Sequence, residues 1–424
     1  MDKDRALKPE SASNTSMTST AGADDVLIIG AGMSGLLLAQ GLKHRNVPFQ
    51  VFERDEALAS KGHRYRIMDG GLNAFEKTLS PQMWCIFRKT HAGRIEPPAL
   101  SILDASTGQQ TDTWRLGDRS INVDRPWVRE LLLNGIEEHV HFGKALQSYE
   151  LLSDGGIDSV RVHFADNSAV EGRILIGTDG VSSKVRKQMF PDVKLVDTER
   201  CCMWGRTALT DEFRGEFGHE EVLQAHFAIA LDKKNPNQSM LFAPIEWPHG
   251  GRLSAIEGCN LSDQESYMFW VLSFPPEASV PLSTQEQRRA YALQLTTGWD
   301  SCFRTLLEMQ TQSAVTPIHS NKPDISPWPT DSRITFAGDS IHAMAPSGGS
   351  GGETAAVDVG QLCDALSASK LNGHWDSEIL KVRLAQFESD MRERAKRAIE
   401  YSFHSATLLW GGSKDWSTYP EVNN

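Results

Sequence analysis

The chain has 424 residues, of which 40% are hydrophobic and 23% charged, so it is long enough for one large or two medium globular domains. Its formal net charge of −12 argues against a protein that binds nucleic acid or an anionic membrane over a broad face. The sequence has no uncharged apolar run of about 18 residues, so no transmembrane helix is expected. Its six cysteines are scattered without a C-x-x-C spacing, which favours free thiols in a reducing, cytoplasmic compartment.

The N-terminal segment, residues 1–24, is rich in Ser, Thr and Ala and lacks the apolar core of a signal peptide. Its acidic residues also argue against an organelle transit peptide. We expect a flexible tail over this segment.

The first predicted elements, within residues 26–55, are a strand, a glycine-rich turn, a helix and a second strand. The apolar run VLII is typical of a buried parallel strand, and Gly30, Gly32 and Gly35 follow it at the spacing G-x-G-x-x-G. In such a motif the first glycine allows a tight turn, the second admits a pyrophosphate, and the third lets the helix pack against the strand. Glu53 ends the second strand, where a carboxylate can accept hydrogen bonds from an adenosine ribose. The motif predicts a dinucleotide site but does not distinguish FAD from NAD.

A second motif of the strand-and-turn kind lies at residues 173–187, RILIGTDGVSSKVRK. An apolar strand leads into Gly-Thr-Asp-Gly, which contains Asp179 and Gly180, and a helix with Ser183 and Arg186 follows.

The middle segment, residues 196–312, contains short alternating runs that are typical of antiparallel strands with one buried and one available face. These runs are MWGRTALT, LQAHFAIAL, SMLFAPI, RLSAIEG and YMFWVLSF.

A third motif begins at Arg333, where the apolar run ITFA delivers Gly338 and Asp339. The segment APSGGSGG, which contains Gly349 and Gly351, follows, and then a helix that carries Asp358.

The C-terminal segment from residue 376 to about residue 410 predicts one long helix, because its apolar residues recur at spacings of three and four. This stripe favours packing against the dinucleotide-binding part, with a dimer face as the alternative. The stripe consists of Leu380, Leu384, Phe387, Met391, Ala395 and Ala398.

Together the three motifs resemble the FAD-dependent monooxygenases of the single-component aromatic-hydroxylase type, the class of para-hydroxybenzoate hydroxylase. A weaker match is NVDRPWVRELLLNGI, in which Arg125 opens a helix. The resemblance implies an α/β fold, with a Rossmann-like three-layer FAD-binding domain, an inserted antiparallel β-sheet substrate domain and a long C-terminal helix. Its implied parts are residues 25–195 and 313–424 for FAD and residues 196–312 for the substrate.

The resemblance also implies that FAD is held at several separated points, because the cofactor is long. NAD(P)H is expected to act as a transient reductant without a domain of its own, since a second G-x-G-x-x-G is absent. His342 is expected to be structural rather than a catalytic base, no metal site is expected, and the catalytic residues are left open. The implied cofactor-binding residues are Gly30, Gly32, Gly35, Glu53, Arg54, Arg66, Arg125, Asp179, Gly338, Asp339, Gly349, Gly351 and Gly352.

The implied reaction is hydroxylation or epoxidation of a sizeable electron-rich aromatic or polycyclic molecule by O₂, through a C4a-hydroperoxyflavin and in specialised metabolism. Alternatives are Baeyer–Villiger oxidation, oxidative rearrangement or FAD-supported cyclisation on the same fold, and a non-catalytic FAD-binding interaction module. The implied partners are a small aromatic substrate and O₂, with neither nucleic acid nor membrane, for a monomer or homodimer. Candidate pocket walls are Arg206, Met240, Phe242 and Trp270, of which Arg206 would suit a phenolate or carboxylate.

Three positions depart from the family's pattern: Ser340, Ser350 and Glu353 replace the usual Ala, Gln and Asn. A carboxylate facing the flavin would be electrostatically unfavourable once the flavin is reduced, and its pKa would rise. Alternatively, Glu353 points away from the flavin.

Overall fold

The computed structural model describes residues 22–58, 64–92, 99–115, 119–154, 157–219, 223, 227–258, 260–277 and 282–422. Almost all of the segment expected to be a flexible tail, and residues 224–226 of the run LQAHFAIAL, lie outside these ranges.

The described elements are numbered in chain order. The strands are β1 (Val26–Ile29), β2 (Phe49–Phe52), β3 (Arg64–Met68), β4 (Ala99–Asp104), β5 (Gln110–Arg115), β6 (Ser120–Asp124), β7 (Val140–His141), β8 (Leu146–Asp154), β9 (Ile157–Phe164), β10 (Ala169–Gly172), β11 (Ile174–Gly177), β12 (Leu195–Ala208), β13 (Phe227–Leu231), β14 (Ser239–Ile245), β15 (Tyr267–Phe274), β16 (Gln310–Ser320), β17 (Ile334–Phe336), β18 (Lys370–Leu371), β19 (His374–Trp375) and β20 (Glu421–Val422). The helices are α1 (Met33–His44), α2 (Asp69–Thr78), α3 (Pro81–Thr90), α4 (Arg125–Leu133), α5 (Lys184–Met189), α6 (Asp211–Phe217), α7 (Gln285–Leu295), α8 (Ser301–Glu308), α9 (Asp339–His342), α10 (Gly351–Ser367) and α11 (Ser377–Trp410).

A five-stranded parallel sheet in the order β17-β11-β1-β2-β7 forms the centre of the dinucleotide-binding part. β1, β2 and β11 are fully buried and apolar apart from Gln50 in β2, as expected for strands covered on both faces. Each of the three predicted motifs follows one of the neighbouring strands β1, β11 and β17. Because parallel strands end at one edge of a sheet, the three glycine-containing turns meet there.

The other large sheet has the order β16-β12-β15-β14-β13-β4-β5, with β20 paired to β12. The predicted antiparallel runs are confirmed at β12, β13, β14 and β15, whereas the run RLSAIEG forms short 3₁₀ turns rather than a strand. β4 and β5, which come from the part predicted to bind FAD, belong to this sheet, and β16 continues to Ser320. The predicted boundary at residue 195 falls at the start of β12, whereas the one at residue 312 falls inside β16.

Two hydrophobic cores sit on either side of this large sheet. One continues from the parallel sheet through α1, α4 and α10, and the other fills the space between the sheet and helices α6, α7 and α8. The predicted C-terminal helix is confirmed as α11, whose first turn is capped by the Asp376 side chain. Its predicted stripe is buried except that Ile399, rather than Ala398, occupies the last inward position. Within the described ranges, no helix is long and apolar enough to cross a bilayer.

Candidate active site

A cavity of about 530 Å³ lies between the edge of the parallel sheet and one face of the large sheet. At one end its wall is made of the glycine-rich turns that follow β1, β11 and β17. At the other end it is made of apolar side chains from the large sheet and the last turns of α11. The predicted dinucleotide motif and the predicted substrate sheet therefore open into the same space.

The three glycines of the first motif have different surroundings. Gly30 has a φ of +104°, and a Cβ on Gly35 would lie 1.9 Å from the Gly30 carbonyl oxygen, so these two fix the turn and the approach of α1. A Cβ on Gly32 would meet no atom within 4 Å, and Gly32 lines the cavity. This opening beside the start of α1 is the kind of space that a pyrophosphate fills.

The carboxylate of Glu53 lies beside this turn, buried, and accepts a hydrogen bond from the Ala31 backbone N–H at 2.8 Å. The neighbouring Arg54 is exposed, and its side chain does not contribute to the described wall of the cavity. The predicted placement of Glu53 at the turn agrees with the geometry, whereas nothing in the structure brings Arg54 to the site.

Asp179 caps α5 and also keeps one oxygen unused. Its Oδ2 accepts the backbone N–H of Lys184 at 2.7 Å, while Oδ1 is buried without a hydrogen-bond partner in the described part of the chain. Burial raises the pKa of this carboxyl. The adjacent Gly180 and Thr178 line the cavity, whereas Asp179 itself is not part of its described wall.

Asp339 begins the short helix α9 with an exposed carboxylate that lines the cavity. Behind it, the ring of His342 contacts Asp358 at 2.5 Å, and Arg394 donates two hydrogen bonds to the other oxygen of Asp358. His342 is fully buried and does not reach the cavity. Its position agrees with the expected structural role, because it links the turn after β17 to α10 and α11.

The glycine-rich segment before α10 lines the cavity through Gly349, Gly351 and Gly352. Gly349 has a φ of +63° and approaches the guanidinium of Arg66. Glu353 does not face the cavity: its Oε1 is 2.5 Å from the place of a Cβ on Gly70, at the start of α2. Burial raises the pKa of Glu353, and Arg66 opposes that rise. Of the two expectations for Glu353, the one that turns it away from the cavity agrees with this geometry.

Arg125 and Arg206 differ in whether their charge is paired. Arg125 opens α4, is exposed to the cavity, and has no hydrogen-bond partner within the described ranges. Arg206 instead donates to Oδ2 of Asp124 at 2.6 Å, and the Tyr267 hydroxyl donates to the same oxygen at 2.6 Å. Asp124 also caps α4 through the Trp127 N–H. The prediction that Arg206 lines the pocket is wrong, because its charge is neutralised by Asp124 outside the cavity wall.

The predicted pocket walls Met240, Phe242 and Trp270 lie in the second core, on the opposite face of the sheet, and this prediction is also wrong. Side chains alternate between the two faces of a strand, so a choice shifted by one residue selects the wrong face. The sheet positions that do line the cavity are Cys202, Trp204, Phe227, Ile229, Ser239, Leu241, Phe269, Val271 and Ser273.

Sequence reasoning also missed two walls that lie outside the predicted substrate segment. The end of α11 contributes Tyr401, His404 and Leu408, a second stripe at spacings of three and four that faces the cavity. Opposite it, Leu100 and Trp114 come from the hairpin of β4 and β5. Leu408 is 55% exposed and Trp114 38% exposed, which places them at the open side of the cavity.

A separate group of possible metal ligands lies away from this cavity, between the start of α8 and the turn that joins β4 to β5. His219, Asp300 and Cys302 each bring one ligand-type atom within 4.8 Å of the others. No metal site was expected from the sequence, because these three residues do not follow a metal-ligand spacing along the chain.

Comparison with known proteins supports the same interpretation of the site. A family model described as "FAD binding domain" matches residues 134–402, which is more than half of the chain, and one described as "NAD(P)-binding Rossmann-like domain" matches residues 28–90. The chain belongs to the FAD-dependent monooxygenases of the aromatic-hydroxylase family. The predicted family, fold class and cofactor FAD are confirmed.

The members of this family that resemble the chain include fungal proteins. The chain is 32% identical over 438 residues to the dual O-methyltransferase/FAD-dependent monooxygenase CTB3 of Cercospora beticola. This match covers 96% of the chain and 48% of CTB3. The chain thus spans about half the length of this relative. It is 26% identical to the FAD-dependent monooxygenase phnB of Penicillium herquei, with 93% and 92% of the two chains covered. Klebsiella pneumoniae HpxO, solved with FAD and uric acid, shares the fold at a TM-score of 0.72 and 18% identity, with 93% and 91% covered.

The residues on the cofactor side of the cavity fit the parts of an FAD molecule. The open cradle at Gly32 supplies a pyrophosphate space, and the exposed carboxylate of Asp339 supplies an acceptor for hydroxyl groups. Arg125 supplies an unpaired cation to the same space.

Proposed function

We propose that this chain is an NAD(P)H-driven monooxygenase that hydroxylates or epoxidises a sizeable electron-rich aromatic or polycyclic small molecule. The observation that carries the proposal is that one cavity joins the dinucleotide-binding turns to a space walled by apolar side chains of the large sheet, here called the aromatic chamber. A reaction between a cofactor and an apolar substrate needs both in one space, shielded from bulk water.

FAD would be held at its adenosine end by Gly32 and Glu53, in the middle by Asp179, Asp339 and Arg125, and at its flavin end by Gly349–Gly352. When bound, FAD supplies the redox chemistry with NAD(P)H and O₂ that the side chains themselves lack. Gly351 and Gly352 at the start of α10 line the cavity, and the start of a helix favours the negative charge that a reduced flavin carries.

The chain's own residues bind and orient the substrate and exclude water. The chamber wall is made largely of Trp204, Phe227, Leu241, Phe269 and Val271, which favour a flat apolar ring system over a small polar molecule. Rings of this size would displace water from the space next to the flavin end of the cavity.

Specialised metabolism is the proposed setting. The support for it is that the relatives which match, such as CTB3 and phnB, are FAD-dependent monooxygenases of fungi. The division into two FAD-binding segments and a substrate sheet, the cytoplasmic location and the monomeric or dimeric state remain predictions. Because the chain spans about half of CTB3, the methyltransferase part of that relative's name carries no implication for this chain.

The test is a product assay with purified, FAD-loaded protein and a panel of phenols, naphthols and indoles. We expect NADPH or NADH to bleach the flavin, and isotope-labelled O₂ to leave one labelled oxygen in a product seen by mass spectrometry. Failure of both reductants with every substrate would contradict the monooxygenase proposal. Reduction without label in the product would instead favour the oxidative rearrangement or cyclisation alternatives.

A further inference from the structure

Two buried guanidinium groups project from β3 into the cavity between the flavin end and the aromatic chamber. The Arg64 guanidinium carbon lies 5.0 Å from the ring centroid of Phe227 and 5.7 Å from that of Phe269. The Arg66 guanidinium carbon lies 5.5 Å from the ring of Phe227. Both side chains line the cavity, so both charges face the space where substrate and cofactor meet.

Neither cation has an ion-pair partner among the described residues. Two other half-buried arginines do pair, Arg394 with Asp358 at 2.7 Å and Arg206 with Asp124 at 2.6 Å, and the buried Arg186 donates to the backbone carbonyl oxygens of Ser340 and Val181. Burial, and then the charge of Arg66, lower the pKa of Arg64 to about 9, so it remains cationic at neutral pH. A buried charge without a partner is costly, and a bound anion removes that cost.

The orientation of Arg64 is fixed by a neutral neighbour. Its Nε donates to Oδ1 of Asn122 at 2.9 Å, and its Nη2 donates to the same oxygen. The two aromatic rings hold the guanidinium plane, and cation–π contact needs no anion. The remaining Nη1 has no partner within the described ranges, so Arg64 presents a positioned donor and keeps its full charge.

Arg64 and Arg66 differ in what lies next to them. Arg66 approaches Gly349, in the segment assigned to the flavin, so the cofactor accounts for its unpartnered Nε and Nη1. Arg64 is in contact with the chamber walls Phe227 and Phe269, where substrate rings would lie.

We propose that Arg64 binds an anionic oxygen attached to the substrate's ring system, a carboxylate or a phenolate, so that the preferred substrate is an acidic polycyclic aromatic. That the bound anion is a substrate rests on the proposed function, whereas the anion subsite itself rests on the geometry around Arg64. A phenolate oxygen bound here would also donate electron density to its ring, which makes the ring a better target for oxygen insertion.

The test measures binding by calorimetry to FAD-loaded protein, with naphthoic acid, naphthol and the neutral methyl naphthoate as probes. The unaltered chain is expected to bind naphthoate about tenfold or more tightly than the ester, as for a charge-assisted hydrogen bond. Arg64→Met should reduce this preference to about threefold or less, and Arg64→Lys should retain part of it, because the charge stays and the planar fork is lost. A nitronaphthol, which ionises near neutral pH where Arg64 is still cationic, then distinguishes phenolate from carboxylate as the preferred anion, with the un-ionised naphthol as its neutral counterpart.

The control is Arg288→Met, the same change on α7, where the side chain donates to the carbonyl oxygens of Leu282 and Ser283 outside the cavity. It should leave the acid-against-ester preference unchanged. Equal binding of acid and ester by the unaltered chain would overturn the proposal, and that comparison needs no variant to fold. Loss of FAD from R64M, measured by flavin absorbance, would also overturn it by assigning Arg64 to the cofactor. Binding and turnover are separate readouts, so a chain that selects acids but oxidises none would contradict only the proposed function.

Discussion

The cofactor side and the substrate side of the cavity are built in different ways. The cofactor side is made mainly of backbone, in glycine turns whose spacing along the chain determines their geometry. The substrate side is made of side chains from strands that are distant in sequence, and their position depends on strand register. A sequence motif therefore predicts the individual residues of the cofactor side. For the substrate side, the sequence predicts only which strands form the sheet.

Arg206 and Arg64 illustrate the same difference with a single residue type. Arg206 lies in the predicted substrate sheet, yet Asp124 neutralises it. Arg64 lies in a short strand of the cofactor part, yet it faces the aromatic chamber without an ion pair in the described part of the chain. The partners of a charge in three dimensions, rather than its place in the sequence, decide whether it is available to a ligand.

The largest effect is expected at Asp358, which supports the cofactor side from within the fold. Asp358→Asn leaves His342 and Arg394 buried without their anion, and breaking such a pair costs about 3–5 kcal/mol. Urea unfolding of the variant and the unaltered chain gives the difference directly. A loss below about 1 kcal/mol would mean that this cluster does not support the turn after β17.

The same cluster predicts a pH dependence of stability. Burial disfavours the charged His342 ring, but Asp358 outweighs burial and the pKa of His342 is raised. A raised folded-state pKa gives stability that is complete below the unfolded value of about 6.5 and is lost as pH rises through the folded value. The stability gap between the unaltered chain and His342→Gln should thus be larger at about pH 6 than at about pH 9. An equal gap at both pH values would contradict the assignment.

Adjacent residues on β14 test the difference between the two faces of the large sheet. Met240 is fully buried in the second core, so Met240→Ala should cost about 2–5 kcal/mol of stability and leave probe binding unchanged. Leu241 lines the cavity, so Leu241→Ala should cost less stability and weaken binding of methyl naphthoate. Calorimetry and urea unfolding on both variants measure the contrast. Weaker probe binding in M240A would show that the assignment of faces is reversed.

Much of the fold follows from local sequence, and the exceptions have physical causes. Strands β1, β2, β11 and β17 and helix α11 were predicted because burial on both faces or a helical stripe leaves a clear pattern. The pairing of β4 and β5 with the substrate sheet was missed, because pairing between distant segments produces no pattern in the sequence of either strand. At the site, the predicted cofactor-binding residues Gly32, Asp339 and Gly349 line the cavity, whereas Asp179 lies between the lining residues Thr178 and Gly180 without being part of the described wall. The wall residues were chosen on the wrong face, because both faces of β14 and β15 are buried and apolar.

Two glycines of the first motif separate folding from cofactor binding. Gly35→Ala places a Cβ 1.9 Å from the Gly30 carbonyl oxygen and 2.8 Å from Thr178 Oγ1, so it should cost about 1–3 kcal/mol or more. Gly32→Ala meets no atom within 4 Å, so stability should change by less than about 1 kcal/mol while FAD affinity falls. Urea unfolding of the cofactor-free protein and titration with FAD measure the two quantities. A G32A protein that binds FAD normally would contradict the placement of the pyrophosphate.

The smallest effect is expected at Glu353, where the sequence departs from its family on the cofactor side itself. Its carboxylate lies beside Gly70 at the start of α2 rather than in the cavity, so Glu353→Gln should leave FAD content and the flavin midpoint potential unchanged. Stability should change by less than about 1 kcal/mol, because burial already raises the pKa of this carboxyl and reduces the advantage of its charge. Glu378→Gln, at an exposed acid in the first turn of α11, is the matched control. A more positive midpoint potential in E353Q alone would show that this carboxylate does act on the flavin, since removing a nearby negative charge favours the reduced, anionic form.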